Sequence, residues 1–448
     1  MALGGGTWLT QNKTLPGYYC NFSSVARASA TLSDRGYAAA PFELDWGPEG
    51  EVFAVTSGDF QKNSKTIFGY AYTDPAMLPQ REIFTHATTV YCYRLGTGAV
   101  KAKCTLATAK YGGTRGNSIT IVVAANVDNE DAWDVSTVVD GVSTETQTVE
   151  TAADLVSNDW VDFITTATLE ATAGMPLTGG SNATTIDGEA HQAFLDKIEP
   201  YSINALCCPA SDATTVRLYQ QFCSRVRDEV GSKFQLAAWQ PTTADYEGII
   251  GVWNTVTHPE IADIPSHYLV YWVAGAEAGC AVNKSLTNFK YDGELTIDTN
   301  YSQAELEAAL KAGKFMFHNV NGDVRVLEDI NTLLTLSDTK GEIFQSNQTI
   351  RVCDQIANDT AVLFATKYLG TVPNDASGRA SLWGDITKLI QNLNDIRAVE
   401  NFDPEIVTCE QGDTKKAVLC IVNGLNVVNA MAQLYMSVII QYGRERNV

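Results

Sequence analysis

The feature that most constrains this chain is its last apolar stretch, Val427 to Ile440, which reads Val-Val-Asn-Ala-Met-Ala-Gln-Leu-Tyr-Met-Ser-Val-Ile-Ile before a charged end at Arg444-Glu445-Arg446. Its even positions, Val428, Ala430, Ala432, Leu434, Met436, Val438 and Ile440, are all apolar, whereas the odd ones include Asn429, Gln433 and Ser437. A period of two is that of a half-buried strand. Val428, Ala432, Tyr435 and Ile439 also fit a helical stripe, and Ala, Met, Leu and Gln favour helix, so a helix remains the rival. Fully extended, the stretch would reach roughly 45 Å at about 3.3 Å per residue, more than twice a typical strand. Part of it is therefore expected to lie outside its own domain.

The other end poses the same question. Met1 to Gly17 holds Gly4-Gly5-Gly6, the short run Thr7-Trp8-Leu9-Thr10 and then Pro16-Gly17. Such a segment cannot fold on itself, but it can offer a ladder of backbone groups to the sheet edge of a neighbour. A frayed terminus is the alternative.

At 448 residues the chain is too long for one ordinary core, and roughly two to four domains are expected. A composition of 45% hydrophobic and 19% charged residues is that of a folded soluble protein. The net charge of -21 argues against nucleic acid as a direct partner, because phosphates would be repelled and no basic block compensates. No basic region precedes an apolar run near Met1, and no apolar stretch is long enough to span a membrane, so the expectation is a protein made in a cytoplasm without membrane insertion. The ten cysteines are scattered, with no Cys-x-x-Cys and no histidine at zinc-finger spacing, which points to reduced, mostly buried thiols.

Along the chain, Tyr37 to Asp45 and Glu51 to Thr56 read as strands around the turn Trp46-Gly47-Pro48-Glu49-Gly50. Ser57 is expected to cap a helix through Phe68, and Thr89 to Leu95 reads as a further strand. From Gly96 to about Thr185 the composition turns to Thr, Val, Ala and Gly, as in a small inserted β domain. Its expected strands are Val100 to Leu106, Ser118 to Val123, Ser136 to Val139 and Thr144 to Val149, with a helix at Ala152 to Ile164.

Beyond it, helices at Gly188 to Ile198, Ala213 to Val230, Ser266 to Ala281 and Ser302 to Ala312 alternate with strands at Ile203 to Cys208, Phe234 to Trp239 and Phe315 to Val320. That alternation implies a mostly parallel sheet covered by helices. The chain then turns helical at Asn347 to Leu369 and Gly378 to Val399, where Leu382, Ile386, Leu389, Leu393 and Ile396 make a narrow seam. Lys388, Gln391, Asn392 and Asp395 lie away from that seam. Short strands near Glu405 to Cys409 and Lys416 to Val422 precede the last stretch.

No catalytic motif stands out. The five histidines, His86, His191, His258, His267 and His318, occupy no Gly-x-Ser-x-Gly or His-Glu-x-x-His setting. Gly112-Gly113-Thr114-Arg115-Gly116 looks superficially like a phosphate cradle but lacks the Lys-Ser/Thr of a P-loop, and a turn between strands is favoured. Asp128-Asn129-Glu130-Asp131 lacks the Gly and distal Glu of a calcium loop.

Several stretches together resemble the tail sheath proteins of contractile phage tails and R-type bacteriocins, especially those of prophages in Gram-positive bacteria. They are Met1 to Trp8, Leu15-Pro16-Gly17-Tyr18-Tyr19-Cys20-Asn21-Phe22, Ser33-Asp34-Arg35-Gly36-Tyr37, Leu44-Asp45-Trp46-Gly47-Pro48-Glu49-Gly50 and Tyr111 to Asn117, then Arg351 to Gly370, Gly378 to Phe402 and Tyr435 to Val438. The resemblance covers essentially the whole chain. It implies a structural subunit without catalysis or cofactor, assembled in the host bacterial cytoplasm into a virion or phage-tail-like particle.

In that family, subunits stack as hexameric rings around an inner tail tube, alongside baseplate and tail terminator proteins. The implied fold is α/β and α+β: a subtilisin-like, non-catalytic middle domain (18–95 and 186–336) interrupted by an outer β-rich insert (96–185). An inner domain (337–426) is completed by neighbours' arms, here 1–17 and 427–448. The donated strands would be Thr7, Trp8, Leu9 and Thr10 at one end and Leu434, Tyr435, Met436, Val438 and Ile440 at the other; Lys388, Asn392 and Asp395 would face the tube. An α/β hydrolase or protease relative is the competing class, discriminated by a serine, histidine and acid brought together. An extracellular adhesin or surface-layer subunit is a second, which would need an export signal.

Overall fold

A computed structural model describes residues 31–183 and 185–440. Its centre is a seven-stranded sheet in the order β15-β12-β11-β10-β1-β3-β2. In chain order it begins with β1 (Tyr37–Phe42), β2 (Val52–Thr56), helices α1 (Ser57–Phe68) and α2 (Leu78–Phe84), and β3 (Thr89–Arg94). The insert follows: β4 (Ala107–Ala109), β5 (Ile119–Ala125), β6 (Trp133–Val139), β7 (Val142–Val149), β8 (Val161–Phe163) and β9 (Thr172–Pro176). The chain then returns through α3 (Gly188–Ile198), β10 (Ala205–Cys208), α4 (Ala213–Arg225), β11 (Gln235–Trp239) and β12 (Ile249–Val252). A short antiparallel pair, β13 (Val256–Thr257) with β14 (Thr296–Ile297), brackets α5 (Leu269–Gly279), and α6 (Gln303–Lys311) leads to β15 (Lys314–Phe315) and the hairpin β16 (Phe317–Val320) with β17 (Asp323–Val326).

All neighbours in the central sheet are parallel except β2 on β3. Both of its faces are covered, which explains the continuous apolar strand sequences. Ala38, Ala40, Phe42, Ala205 and Cys207 point into a core with α1, α2 and α5, whereas Ala39, Leu206, Cys208 and Leu236 point into one with α3 and α4. Helix α5 is buried nearly all round. It can lie against the end of α2 because Gly275 and Gly279 leave room: a Cβ there would stand 2.2 Å from the Ile83 carbonyl oxygen and 2.3 Å from that of His86.

The insert is a four-stranded antiparallel sheet, β7-β6-β5-β9, packed with the pair β4-β8. Its core includes a residue from outside it: Trp46, fully buried in the expected turn, has its ring centroid 5.1 Å from that of Trp160 and 5.3 Å from that of Tyr111. The expected strand at Val100 to Leu106 forms only single bridges, Val100 to Ser181 and Lys103 to both Thr108 and Thr178, and the pairing strand is β4. The expected helix at Ala152 to Ile164 is also absent. The Thr151 and Asp154 side chains close a single 3-10 turn, and Asn158 then accepts from the Trp160 and Val161 amides, turning the chain into β8.

Two further differences are local. Thr56, not Ser57, caps α1, its hydroxyl accepting from the Asp59 amide at 3.1 Å. β12 escaped notice because four apolar residues are too few to show a period.

The C-terminal unit is α7 (Asn347–Leu363), α8 (Ala376–Asp395), and the antiparallel pairs β18 (Val399–Glu400) with β21 (Asn426–Val427) and β19 (Val407–Gln411) with β20 (Val418–Val422). Both α4 and α7 close in a π turn, at Val226–Val230 and Phe364–Tyr368. In the α8 seam Leu382, Ile386, Leu389 and Leu393 are buried, but Ile396 lies one residue past the helix and is exposed. Past Val427 neither the expected long strand nor its helical rival forms among the described residues.

Candidate assembly site

The root of the C-terminal tail is held by side chains that imitate backbone. Gln348, near the start of α7, donates from Nε2 to the Val428 carbonyl at 3.0 Å and accepts at Oε1 from the Ala430 amide at 2.9 Å. This primary amide thus satisfies two backbone groups as a neighbouring strand would. Asn429 accepts from Thr349 Oγ1 at 3.2 Å and Ser346 Oγ at 3.3 Å, and the Val428 amide donates to the Ala398 carbonyl at 3.0 Å.

Beyond this clamp the tail leaves the body. Leu434, Tyr435, Met436, Val438 and Ile440 are each at least 71% exposed. Residues 431–440 carry no secondary structure, and the hydrogen bond recorded inside them is between side chains, Tyr435 to Gln433 at 2.8 Å. A run of exposed apolar side chains of this length is costly in water. The two C-terminal β pairs each have two strands among the described residues, and β20 exposes Leu419 and Ile421.

The body that carries the tail is held rigidly. Arg351 of α7 is buried between Glu277 of α5 and Asp329, and donates to the Lys284 carbonyl at 3.0 Å. Arg227 meets Asp354 through both terminal nitrogens, at 2.6 and 2.8 Å. Asn347 donates to Asp329 at 2.9 Å and accepts from Gln235 at 2.9 Å. Burial raises the Glu277 carboxyl to about 7 against the pull of Arg351, with Asp329 adding to the rise.

The remaining candidates fall into place as structure. Arg94 is buried and donates to the carbonyls of Leu44, Gly47 and Gly112 at 2.9 to 3.0 Å, lacing the Trp46 turn to the glycine loop. Arg115 spends its guanidinium on Asp140, at 2.7 Å through both nitrogens, and its Nε on the Gly69 carbonyl at 2.6 Å. The glycine motif is therefore a joint between strands and not a phosphate cradle. His191 bonds Tyr219 at 2.8 Å, His86 bonds Asp292 at 2.9 Å, and His258 accepts from the backbone of Glu260 and Ile261. Burial lowers His267 to about 4. Among the described residues no group of three or more His, Cys, Asp or Glu could hold a metal ion, and their cysteines are free thiols.

Of the residues singled out from the sequence, Thr7, Trp8, Leu9 and Thr10 lie outside the described residues. On α8, Lys388 and Asp395 are exposed and Asn392 is half-buried, with Gln391 donating to Asp395 at 2.7 Å. Sequence reasoning missed Gln348, Arg351 and the reach of Trp46 into the insert.

A rigid several-part body carrying an open apolar end defines an assembly subunit. Comparison with known proteins says of what. Residues 35–95 match the tail sheath protein Gp18 domain III N-terminal region, 96–182 the phage tail sheath protein beta-sandwich domain, 184–332 the phage tail sheath protein central domain and 339–441 the phage tail sheath C-terminal domain. The phage-like element PBSX protein XkdK of Bacillus subtilis is 31% identical over 97% of this chain and 99% of its own length. The sheath tail proteins of Desulfitobacterium hafniense and Listeria innocua are 35% and 32% identical, with TM-scores of 0.76 and 0.77, each covering 88% of this chain and 93% of the solved one. The chain belongs to the phage tail sheath protein family. It is a structural component of a phage tail or tail-like particle, not an enzyme.

Proposed function

We propose that this chain is the repeating subunit of a contractile sheath, stacked as hexameric rings around an inner tube and joined to its neighbours by exchanged strands. The observation that carries the reading is the tail itself: a clamped root at Gln348 followed by exposed, apolar, unpaired residues 431–440. In this reading Leu434, Tyr435, Met436, Val438 and Ile440 extend the open β pairs of a neighbour, and Thr7 to Thr10 serve likewise. Backbone ladders suit a sheath because they persist while the bodies they join rotate and new side-to-side contacts form.

The body follows the same plan. Residues 18–95 and 186–336 form a middle domain of subtilisin-like topology without its catalytic machinery, 96–185 an outer insert, 337–426 an inner domain, and 1–17 and 427–448 the arms. Lys388, Asn392 and Asp395 face the tube, while baseplate and terminator proteins cap the polymer. Assembly takes place in the host bacterial cytoplasm, and contraction drives the tube through a target envelope.

Removal of residues 431–448 tests the central claim. The truncated chain should melt as the full chain does yet form no hollow striated cylinders in negative-stain micrographs; normal cylinders would overturn strand exchange by this tail. Deletion of Met1 to Thr10 is expected to give the same separation of folding from polymerisation.

A further inference from the structure

The hairpin β19–β20 carries a facing pair of cysteines. Cys409 and Cys420 stand directly opposite each other across it, with their sulfurs 2.9 Å apart. The flanking hydrogen bonds, Gly412 to the Ala417 carbonyl at 2.9 Å and Asn423 to the Ile406 carbonyl at 3.0 Å, identify residues 412 and 417, and 406 and 423, as hydrogen-bonded pairs. Alternation along the ladder then makes 409 and 420 a non-hydrogen-bonded pair, the narrow kind whose Cα atoms lie about 4.5 Å apart. That spacing falls within the roughly 4.4–6.8 Å that a disulfide spans, and the sulfurs need to close by about 1 Å to reach bonding distance.

Both cysteines are half-buried. Cys409 also lines an open groove of about 430 Å³ with Arg379, Trp383 and Gln411. The contrast with Cys207 and Cys208 is plain: these are adjacent in sequence, fully buried in β10, and point to opposite faces of the central sheet.

We infer that Cys409 and Cys420 form a two-electron redox site that a low-molecular-weight disulfide, such as glutathione disulfide, converts from dithiol to cross-strand disulfide in the folded chain. The Cys409 thiolate attacks one sulfur of glutathione disulfide, forming a mixed disulfide and expelling one glutathione thiolate. Cys420, its proton lost to solvent, attacks the Cys409 sulfur, closing the Cys409–Cys420 bond and expelling the second. Two protein thiols are oxidised and one small disulfide is reduced to two thiols. Burial and the hydrogen bond to Cys420 push the Cys409 thiol up to about 12, so the exchange quickens as pH rises. The chemistry is independent of polymerisation. Its consequence, a hairpin open in a reducing cytoplasm and stapled in a released particle, rests on the reading above.

The test uses the full chain, reduced, freed of reductant, exposed to glutathione disulfide, then alkylated and digested with trypsin. Lys415 and Lys416 lie between the two cysteines, so the disulfide appears in the mass spectrum as two linked peptides that separate on reduction. The expected result is that linked pair, with loss of alkylated Cys409 and Cys420. Recovery of both as alkylated thiols, or of both capped by glutathione, overturns the inference. The variant Cys420→Ser is expected to trap Cys409 as its glutathione mixed disulfide. A Cys409 that stays alkylated in that variant overturns the attack by its thiolate.

Discussion

Helix α7 and the tail it anchors meet at one residue and obey opposite rules. On the body side of Gln348, Arg351 and Asn347 are buried, the terminal nitrogens of Arg351 going to Glu277, Asp329 and Lys284 and the Asn347 amide to Asp329 and Gln235. On the other side, a few residues past Ala430, the chain exposes Met431, Leu434 and Tyr435 almost completely. Composition does not separate the two regions, since the exposed one is the more apolar. What separates them is where partners are found: the joint finds nearly all of its own within the chain, whereas residues 431–440 make no backbone hydrogen bond to another described residue.

The strongest way to break that contrast is to open the joint. Arg351→Met leaves Glu277 and Asp329 buried with reduced compensation, and should cost roughly 3–5 kcal/mol in urea unfolding; a loss below about 1 kcal/mol, the level of a surface pair, would show that the joint is not sealed.

The body also carries a pH signature that the exposed tail should lack. Burial raises Glu82 from an ordinary value near 4.5 to about 7, although it accepts from the Glu294 amide at 2.6 Å and the Tyr291 hydroxyl at 2.7 Å. The folded chain therefore holds this proton more tightly than the unfolded one, and stability falls as pH rises between those values. Glu82→Gln should flatten that fall by up to about 3 kcal/mol, read from unfolding at pH 5 and pH 8. An unchanged slope would remove Glu82 as its source.

Smaller effects sharpen the boundary itself. Gln348→Ala deletes two hydrogen bonds worth about 1 kcal/mol each. The Ala430 amide should then exchange its hydrogen faster, while amides in α5 stay protected; equal exchange in the variant would mean that the clamp holds nothing. Smallest of all, the reversals Lys388→Glu and Asp395→Lys on the exposed face of α8 should change stability by no more than about 0.5 kcal/mol. They should nevertheless abolish co-sedimentation with tube protein, and retained binding would withdraw that face from the tube.

Much of the body was legible because its signals are local. The alternation of α3, β10, α4 and β11 follows from apolar period and caps: Asp187 and Asp212 each accept amides at the helix starts they precede. The insert was less legible. Ala152 to Ile164 looks helical until one sees that Asn158 reads the next amides and that Trp160, Val161 and Phe163 are wanted by a core formed far away in sequence. The tail shows a period of two in its sequence, but a period states which face a strand would bury and not against what. The clamp was invisible for a simpler reason: a glutamine that reads backbone leaves no pattern, because its partners contribute no side chain.

Trp46 gives the insert an unusual ancestry of contacts. Its indole belongs to the chain segment before the insert, yet it fills the centre of the insert's core beside Trp160 and Tyr111, with Arg94 strapping the segment in place. A chimera that trades 96–182 for another sheath's module must therefore bring a matching socket for that ring. The insert and its graft point are thus one packing unit, although a strand and a loop of the host supply part of it.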